Sequence, residues 1–170
     1  MGAGVVLDTS FLITLADPAR QHHAVARRYW QYFMEQTMPV FLPTIVVSEF
    51  CVRQEIPPDI LRCCVVLPFN WDEAIKAAQL DFTQYKALVE SRVAIKDDVK
   101  IIAQAVVCDA EHVITEDTDS LIRIATELKT AGKVAFRTIA LKDGFDRAFF
   151  DPKGQSDFED VLHQSDDASN

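Results

Sequence analysis

Apolar and polar positions fall along this chain in blocks that predict short buried strands separated by helices. Residues 4–7, GVVL, form an apolar run of strand length. The segment SFLITLA (10–16) reads as a short helix that Asp17-Pro18 stops. In HHAVARRYWQYFMEQ (22–36), Val25, Tyr29 and Phe33 recur at helical spacing, as do Ala26 and Trp30. Pro39 to Pro43 predicts a connector with at most a short extended piece. Thr44 is placed to cap a third helix, TIVVSEFCVRQE (44–55), before Pro57-Pro58 breaks the chain. The run CVVLP fits either an extended segment or the end of a short helix.

The longest helical pattern runs from Trp71 to Glu90, with Ile75, Ala78, Phe82, Tyr85 and Val89 in one stripe. Ser91–Ile95 predicts a loop, and DDVKIIAQAVVCDA (97–110) another apolar-faced helix. HVIT (112–115) is a second buried strand. Asp117 or Asp119 caps the helix SLIRIATELK, which Gly132 ends. VAFRTIAL (134–141) is a third strand, and GFDRAFF adds a helical turn or two. Strands alternating with helices predict a three-layer α/β/α sandwich with a central parallel sheet. Residues 1–150 form one domain on this reading. Residues 151–170 turn polar and acidic, the pattern of a flexible tail.

Composition narrows the class. The chain has 170 residues, 49% of them apolar and 25% charged, which suits a single globular core. No apolar run reaches the roughly 20 residues of a membrane span. The N-terminus lacks the basic region of a secretion signal, so the expected compartment is the cytoplasm. The four cysteines show neither CxxC nor zinc-ligand spacing and read as reduced core residues. The net charge of −9 argues against simple electrostatic binding of nucleic acid. That charge is uneven, however: residues 151–170 carry −5, leaving −4 for the first 150. If some of the remaining acids hold cations, the rest of the surface is near neutral.

Acids then change the picture. Ligand sites in open parallel sheets form at the carboxyl ends of the strands. Asp8 directly follows the first strand, and Glu116, Asp117 and Asp119 follow the second. Asp97 and Asp98 start a helix. Glu49 lies inside the apolar VVSEFCV, where a carboxylate is costly unless paired. Each acid alone has a structural explanation: Asp8, Asp97, Asp98, Asp117 and Asp119 as helix caps, Glu49 as the partner of Arg53 four residues on. Gathered at one edge, they repel. Two carboxylates about 5 Å apart at an effective dielectric of about 20 cost roughly 3 kcal/mol. A hard divalent cation, Mg²⁺ or Mn²⁺, relieves that repulsion and supports phosphodiester chemistry.

In order, VVLDTSFL, PTIVVSEF, DVKIIAQA and VITEDTDSL resemble the motif blocks of PIN-domain proteins, and of the VapC-type toxins in particular. The resemblance spans roughly residues 4–142. It implies an acidic quartet of Asp8, Glu49, Asp98 and Asp117 around Mg²⁺ or Mn²⁺, with Asp119 as a fifth acid. It places Ser10 at a small hydroxyl position that touches metal-bound water or phosphate. It implies a metal-dependent endoribonuclease, the toxin of a type II toxin–antitoxin pair, with RNA as substrate, an antitoxin protein as partner, homodimer formation, and no membrane association. Lys96 and Lys100 flank Asp98 and are placed to hold RNA. Arg20, Arg27 and Arg28 are expected to solvate a helix face.

Other readings use the same residues. A haloacid-dehalogenase-type phosphatase also ends its first strand in Asp, but needs a second Asp where Ser10 stands. A receiver domain wants paired acids after its first strand, and Asp8 is alone there. A PIN-like binding or regulatory module without turnover needs no intact quartet. A structure-specific DNA nuclease would use the same acids.

Overall fold

The computed structural model describes residues 4–85 and 92–150. Five strands form one parallel sheet: β1 (Val5–Leu7), β2 (Val40–Pro43), β3 (Cys64–Leu67), β4 (His112–Thr115) and β5 (Arg137–Ala140), in the order β3-β2-β1-β4-β5. Helices α1 (Thr9–Ala16), α2 (His23–Glu35), α3 (Thr44–Phe50), α4 (Pro58–Arg62), α5 (Trp71–Leu80), α6 (Arg92–Val107) and α7 (Leu121–Thr130) fill the connections. Parallel neighbours require crossovers, and a helix covers each face of the sheet as a result.

Side-chain alternation along the strands makes two cores. Val5, Leu7 and Val40 face a layer built from Phe11 of α1 and Ala26, Tyr29 and Phe33 of α2. Val6, Phe41 and Val113 face the other layer, with Val46 and Phe50 of α3, Ile102 of α6 and Ile124 and Leu128 of α7. Each such side chain, fully buried, contributes about 1.5–3 kcal/mol of transfer free energy. The expected α/β/α sandwich is the fold observed.

The strands are more numerous than the pattern predicted. Pro39–Pro43 holds β2, buried at every position and hydrogen-bonded on both sides, not a connector. Its proline is tolerated at the last strand position, where it leads straight into α3. The ambiguous CVVLP resolves into β3. As the edge strand it leaves Val65 53% and Val66 44% exposed.

Three helix boundaries also move. Helix α3 stops at Phe50, and the predicted continuation to Glu55 is a turn. Helix α5 stops at Leu80 because Asp81 takes a left-handed conformation, φ 49°. A short 3-10 turn, Phe82–Tyr85, follows, and the rest of the expected stripe to Glu90 lies outside the described residues. Helix α6 begins at Arg92, where a loop over Ser91–Ile95 was expected, since Ile95, Val99 and Ile102 form one buried stripe. Residues 151–170, the expected acidic tail, lie outside the described residues. Among the described residues no helix is long and apolar enough to cross a membrane. All four cysteines are free, but Cys51 and Cys63 are exposed and not in the core.

Gly4 shows how tightly the sheet is assembled at its start. A Cβ there would lie 2.3 Å from the Phe41 ring, and the Gly4 carbonyl accepts from the N–H groups of Glu111 and His112.

Candidate functional site

The strand order reverses direction beside β1. From β1 the chain builds outward through β2 and β3, then crosses to the other side as β4. A crevice opens at the carboxyl ends where two such halves diverge. The β1 and β4 ends are held in register there: Leu7 pairs with Ile114, and the Asp8 N–H donates to the Ile114 carbonyl at 3.1 Å. Asp8 and Asp117 therefore arrive from adjacent strands.

Asp8 caps α1, and its Oδ2 takes hydrogen bonds from the Ser10 hydroxyl at 2.6 Å and the Thr115 hydroxyl at 2.7 Å. Ser10 also accepts from the backbone N–H groups of Glu116 (2.9 Å) and Asp117 (3.1 Å). Ser10 thus ties the start of α1 to the loop after β4. Burial raises the Asp8 pKa above the ordinary carboxylate value, while the two hydroxyls act to lower it.

Asp98 is placed by the early start of α6. It lies well inside the helix on the buried face, 8% exposed, where no free N–H is left to cap. Its Oδ2 is buried without a hydrogen-bond partner. Burial is the main reason its pKa is pushed up to about 8; the Ser120 hydroxyl opposes this, and the charges of Asp8, Asp117 and Glu49 add to it.

Glu49 projects from α3 and accepts from the Thr9 hydroxyl, not from Arg53. Its pKa is raised by burial first and then by the charges of Asp97 and Asp8, against the Thr9 bond. Asp117 serves the fold as well: its Oδ1 accepts from the N–H groups of Asp119 (2.7 Å) and Ser120 (3.2 Å), and its Oδ2 from the Ser120 hydroxyl (2.8 Å). It therefore shapes the turn before α7, whose N-cap is Ser120 and not Asp117 or Asp119 as expected. Asp119 is exposed.

Asp8, Glu49, Asp98 and Asp117 line one cleft of about 640 Å³. As the side chains stand, no three Asp, Glu, His or Cys groups among the described residues are close enough to share an ion. Serine and threonine hydroxyls occupy oxygens of Asp8, Glu49 and Asp117. The donor set still fits a hard cation. Every group is a carboxylate, the charges of Asp8, Asp117 and Glu49 raise the Asp98 pKa as that of Asp8 raises the Glu49 pKa, and the buried Asp98 oxygen has no other partner.

The predicted cations sit differently. Lys100 pairs with Asp97 at 2.8 Å. Lys96 is exposed and has an interaction of its own. Arg20 does not simply solvate a helix: it pairs with Glu116, which also accepts from Thr14. Burial would raise the Glu116 pKa, but these partners outweigh it and hold the carboxyl below its usual value.

Sequence reasoning overlooked Thr9 and Thr115 as partners of the acids. The signal was present: each hydroxyl residue stands next to an acid at a strand end, in LDTS and ITED.

Solved structures share this architecture. The FitAcB structure from Neisseria gonorrhoeae matches 81% of this chain and 98% of its own, with a TM-score of 0.55 at 19% identity. A VapBC structure from Rickettsia felis, bound to a DNA fragment from its promoter, matches 79% and 97% with a TM-score of 0.54 at 12% identity. This chain has a VapC-like PIN-domain fold. A Mycobacterium tuberculosis VapC toxin that cleaves the sarcin-ricin loop gives 0.51 at 18% identity, over 79% of this chain and 99% of that one. No family model and no curated protein matches the sequence. The PIN-domain fold is therefore recognised here through shape, with its acids at the strand ends where the crevice opens.

Proposed function

We propose that this protein is a metal-dependent endoribonuclease, the toxin half of a toxin–antitoxin pair. The observation that carries the reading is Asp98. A carboxyl buried inside a helix, with one oxygen unpartnered and three other acids acting on it, has no structural purpose that a leucine would not serve better. The PIN-domain fold and its VapBC and FitAcB neighbours support the same reading, and with it an antitoxin as the protein partner.

On this proposal Asp8, Glu49, Asp98 and Asp117 hold Mg²⁺ or Mn²⁺; Asp119, the expected fifth acid, is exposed and is not among the residues lining the cleft. When bound, the cation supplies charge neutralisation at the phosphodiester and a water acidic enough to act as nucleophile near neutral pH. The chain's own residues do the rest. Ser10 and Thr115 fix the orientation of Asp8 through its Oδ2. Thr9 does so for Glu49. Asp98 is the group most able to exchange a proton for a cation, because burial has already brought its pKa to about 8. Ser10, which lines the cleft, also acts as a brace, with the Glu116 and Asp117 N–H groups on its oxygen.

The test is cleavage of a structured RNA pool by purified protein with Mn²⁺ or Mg²⁺, beside an EDTA control and Asp98→Asn. Metal-dependent cleavage, reduced more than about a hundredfold in Asp98→Asn, is the expected result. Absence of both cleavage and calorimetric Mn²⁺ binding would reject the proposal.

A further inference from the structure

The cleft that holds the acids has a second wall of opposite character. Ile13 and Ala16 of α1 and Phe50 of α3 form its apolar part, and Asp17, Arg53 and Gln54 its polar part. Arg53 is the cation among the described lining residues. The chain turns there, with the Arg53 N–H donating to the Phe50 carbonyl at 3.2 Å, and the side chain stands exposed. No carboxylate among the described residues pairs with it. Glu49, the acid four residues earlier, is engaged by Thr9. An exposed arginine at an acidic cleft that pairs with none of its acids keeps its planar fork of donors available to a ligand.

A polynucleotide laid into this cleft meets two demands. The phosphate to be cleaved must lie against the acids. The next phosphate along must share the cleft without a cation of its own, and carboxylates repel it. Arginine binds phosphate through paired, charge-assisted hydrogen bonds. The cleft itself, about 640 Å³, has the size of a small-molecule pocket. It has room for a nucleotide or two along the acids. We infer, on the footing of the nuclease reading, that Arg53 grips the backbone phosphate adjacent to the scissile one and that the nucleotide between them lies along Ile13 and Ala16.

The experiment is fluorescence anisotropy with a labelled, mixed-sequence single-stranded RNA and Mn²⁺, in an Asp98→Asn background that keeps the RNA intact. Adding Arg53→Ala should weaken binding about tenfold. It should also make the slope of log affinity against log salt shallower by about 0.7, the share of one single-strand phosphate. Arg53→Lys should restore the slope and most of the affinity. Unchanged affinity and slope in Arg53→Ala would overturn the phosphate contact, as would an Asp98→Asn protein that binds no RNA. Cleavage of the same RNA by the unmutated protein is scored separately. Loss of binding in Arg53→Ala without any cleavage by the unmutated protein would keep the Arg53 contact and reject turnover.

Discussion

The two ends of the sheet are built on opposite terms. At the carboxyl end, acids from β1, α3, α6 and the loop after β4 share one cleft, and burial works against their charge. At the amino end, the 3-10 turn Arg147–Phe149 and Phe150 strap aromatic rings across α2. Tyr29 meets Phe145 edge-on at 4.9 Å, and Phe150 packs against Phe33 at 5.6 Å and against the His112 ring at 4.8 Å. One end stores unfavourable electrostatics for chemistry. The other consists of ordinary packing that holds the sandwich together. The difference separates residues kept for stability from residues kept at stability's expense.

The comparison breaks most visibly at Phe33. Its ring is fully buried in the aromatic cluster, so Phe33→Ala should cost about 3–5 kcal/mol, read as a fall in the denaturation midpoint. A loss under about 1 kcal/mol would mean that the amino end is not the anchor.

The opposite sign is expected at Asp98. Its folded pKa lies above the unfolded value, so its contribution to stability is complete below about pH 4 and is lost as pH rises toward about 8. Without metal, stability should therefore decline across that window. Asp98→Asn should flatten the decline and raise stability near pH 7 by on the order of 3 kcal/mol. Saturating Mn²⁺ should raise the melting temperature of the unmutated protein more than that of Asp98→Asn. A variant less stable than its parent at pH 7 would place Asp98 among the packing residues.

His112 gives the smallest and most specific effect. Its Nε2 meets the Phe149 carbonyl at 2.8 Å, and its buried Nδ1 has no partner. Burial lowers its pKa, so the stability tied to its neutral form is present above about 6.5 and is lost as pH falls below that value. His112→Gln should remove an acid-side decline of about 1 kcal/mol or less in thermal melts. An unchanged acid limb would show that the strap does not sense the imidazole charge.

Much of this was legible in the chain. Strand β1 is an unbroken apolar run and β4 carries Val113 and Ile114 at its centre, and Asp8 and Asp117 lie just past their ends. Helix α2 follows from its stripe of Val25, Tyr29 and Phe33. Strand β2 was hidden by its two flanking prolines, which carry a local turn signal that tertiary pairing overrides. Helix α5 was read too long because the apolar spacing continues past Asp81, while the chain's left-handed step there leaves no mark in periodicity. Asp98 looked like a cap because aspartate before an apolar stripe usually is one. Only the start of α6 at Arg92 moves it into the helix interior. Arg53 had an obvious local partner in Glu49, and no spacing rule could foresee that Thr9, forty residues away, takes that carboxylate instead.

Strand β3 has a consequence for anyone handling the protein. It is an outermost strand paired on one side only, with the Gln104 side chain donating to the carbonyls of Leu67 and Pro68 at its end, and its sequence, CVVL, contains no charge. Nearby, Leu61 and Trp71 are also exposed. Natural sheets usually guard such a border with lysine, proline or a bulge, and here only Pro68 stands guard, just beyond its end. Colloidal behaviour is therefore set at this border: concentrated stocks carry a ready template for strand-to-strand association, and loss of soluble material on storage should begin there, far from the acids and without any change in their chemistry.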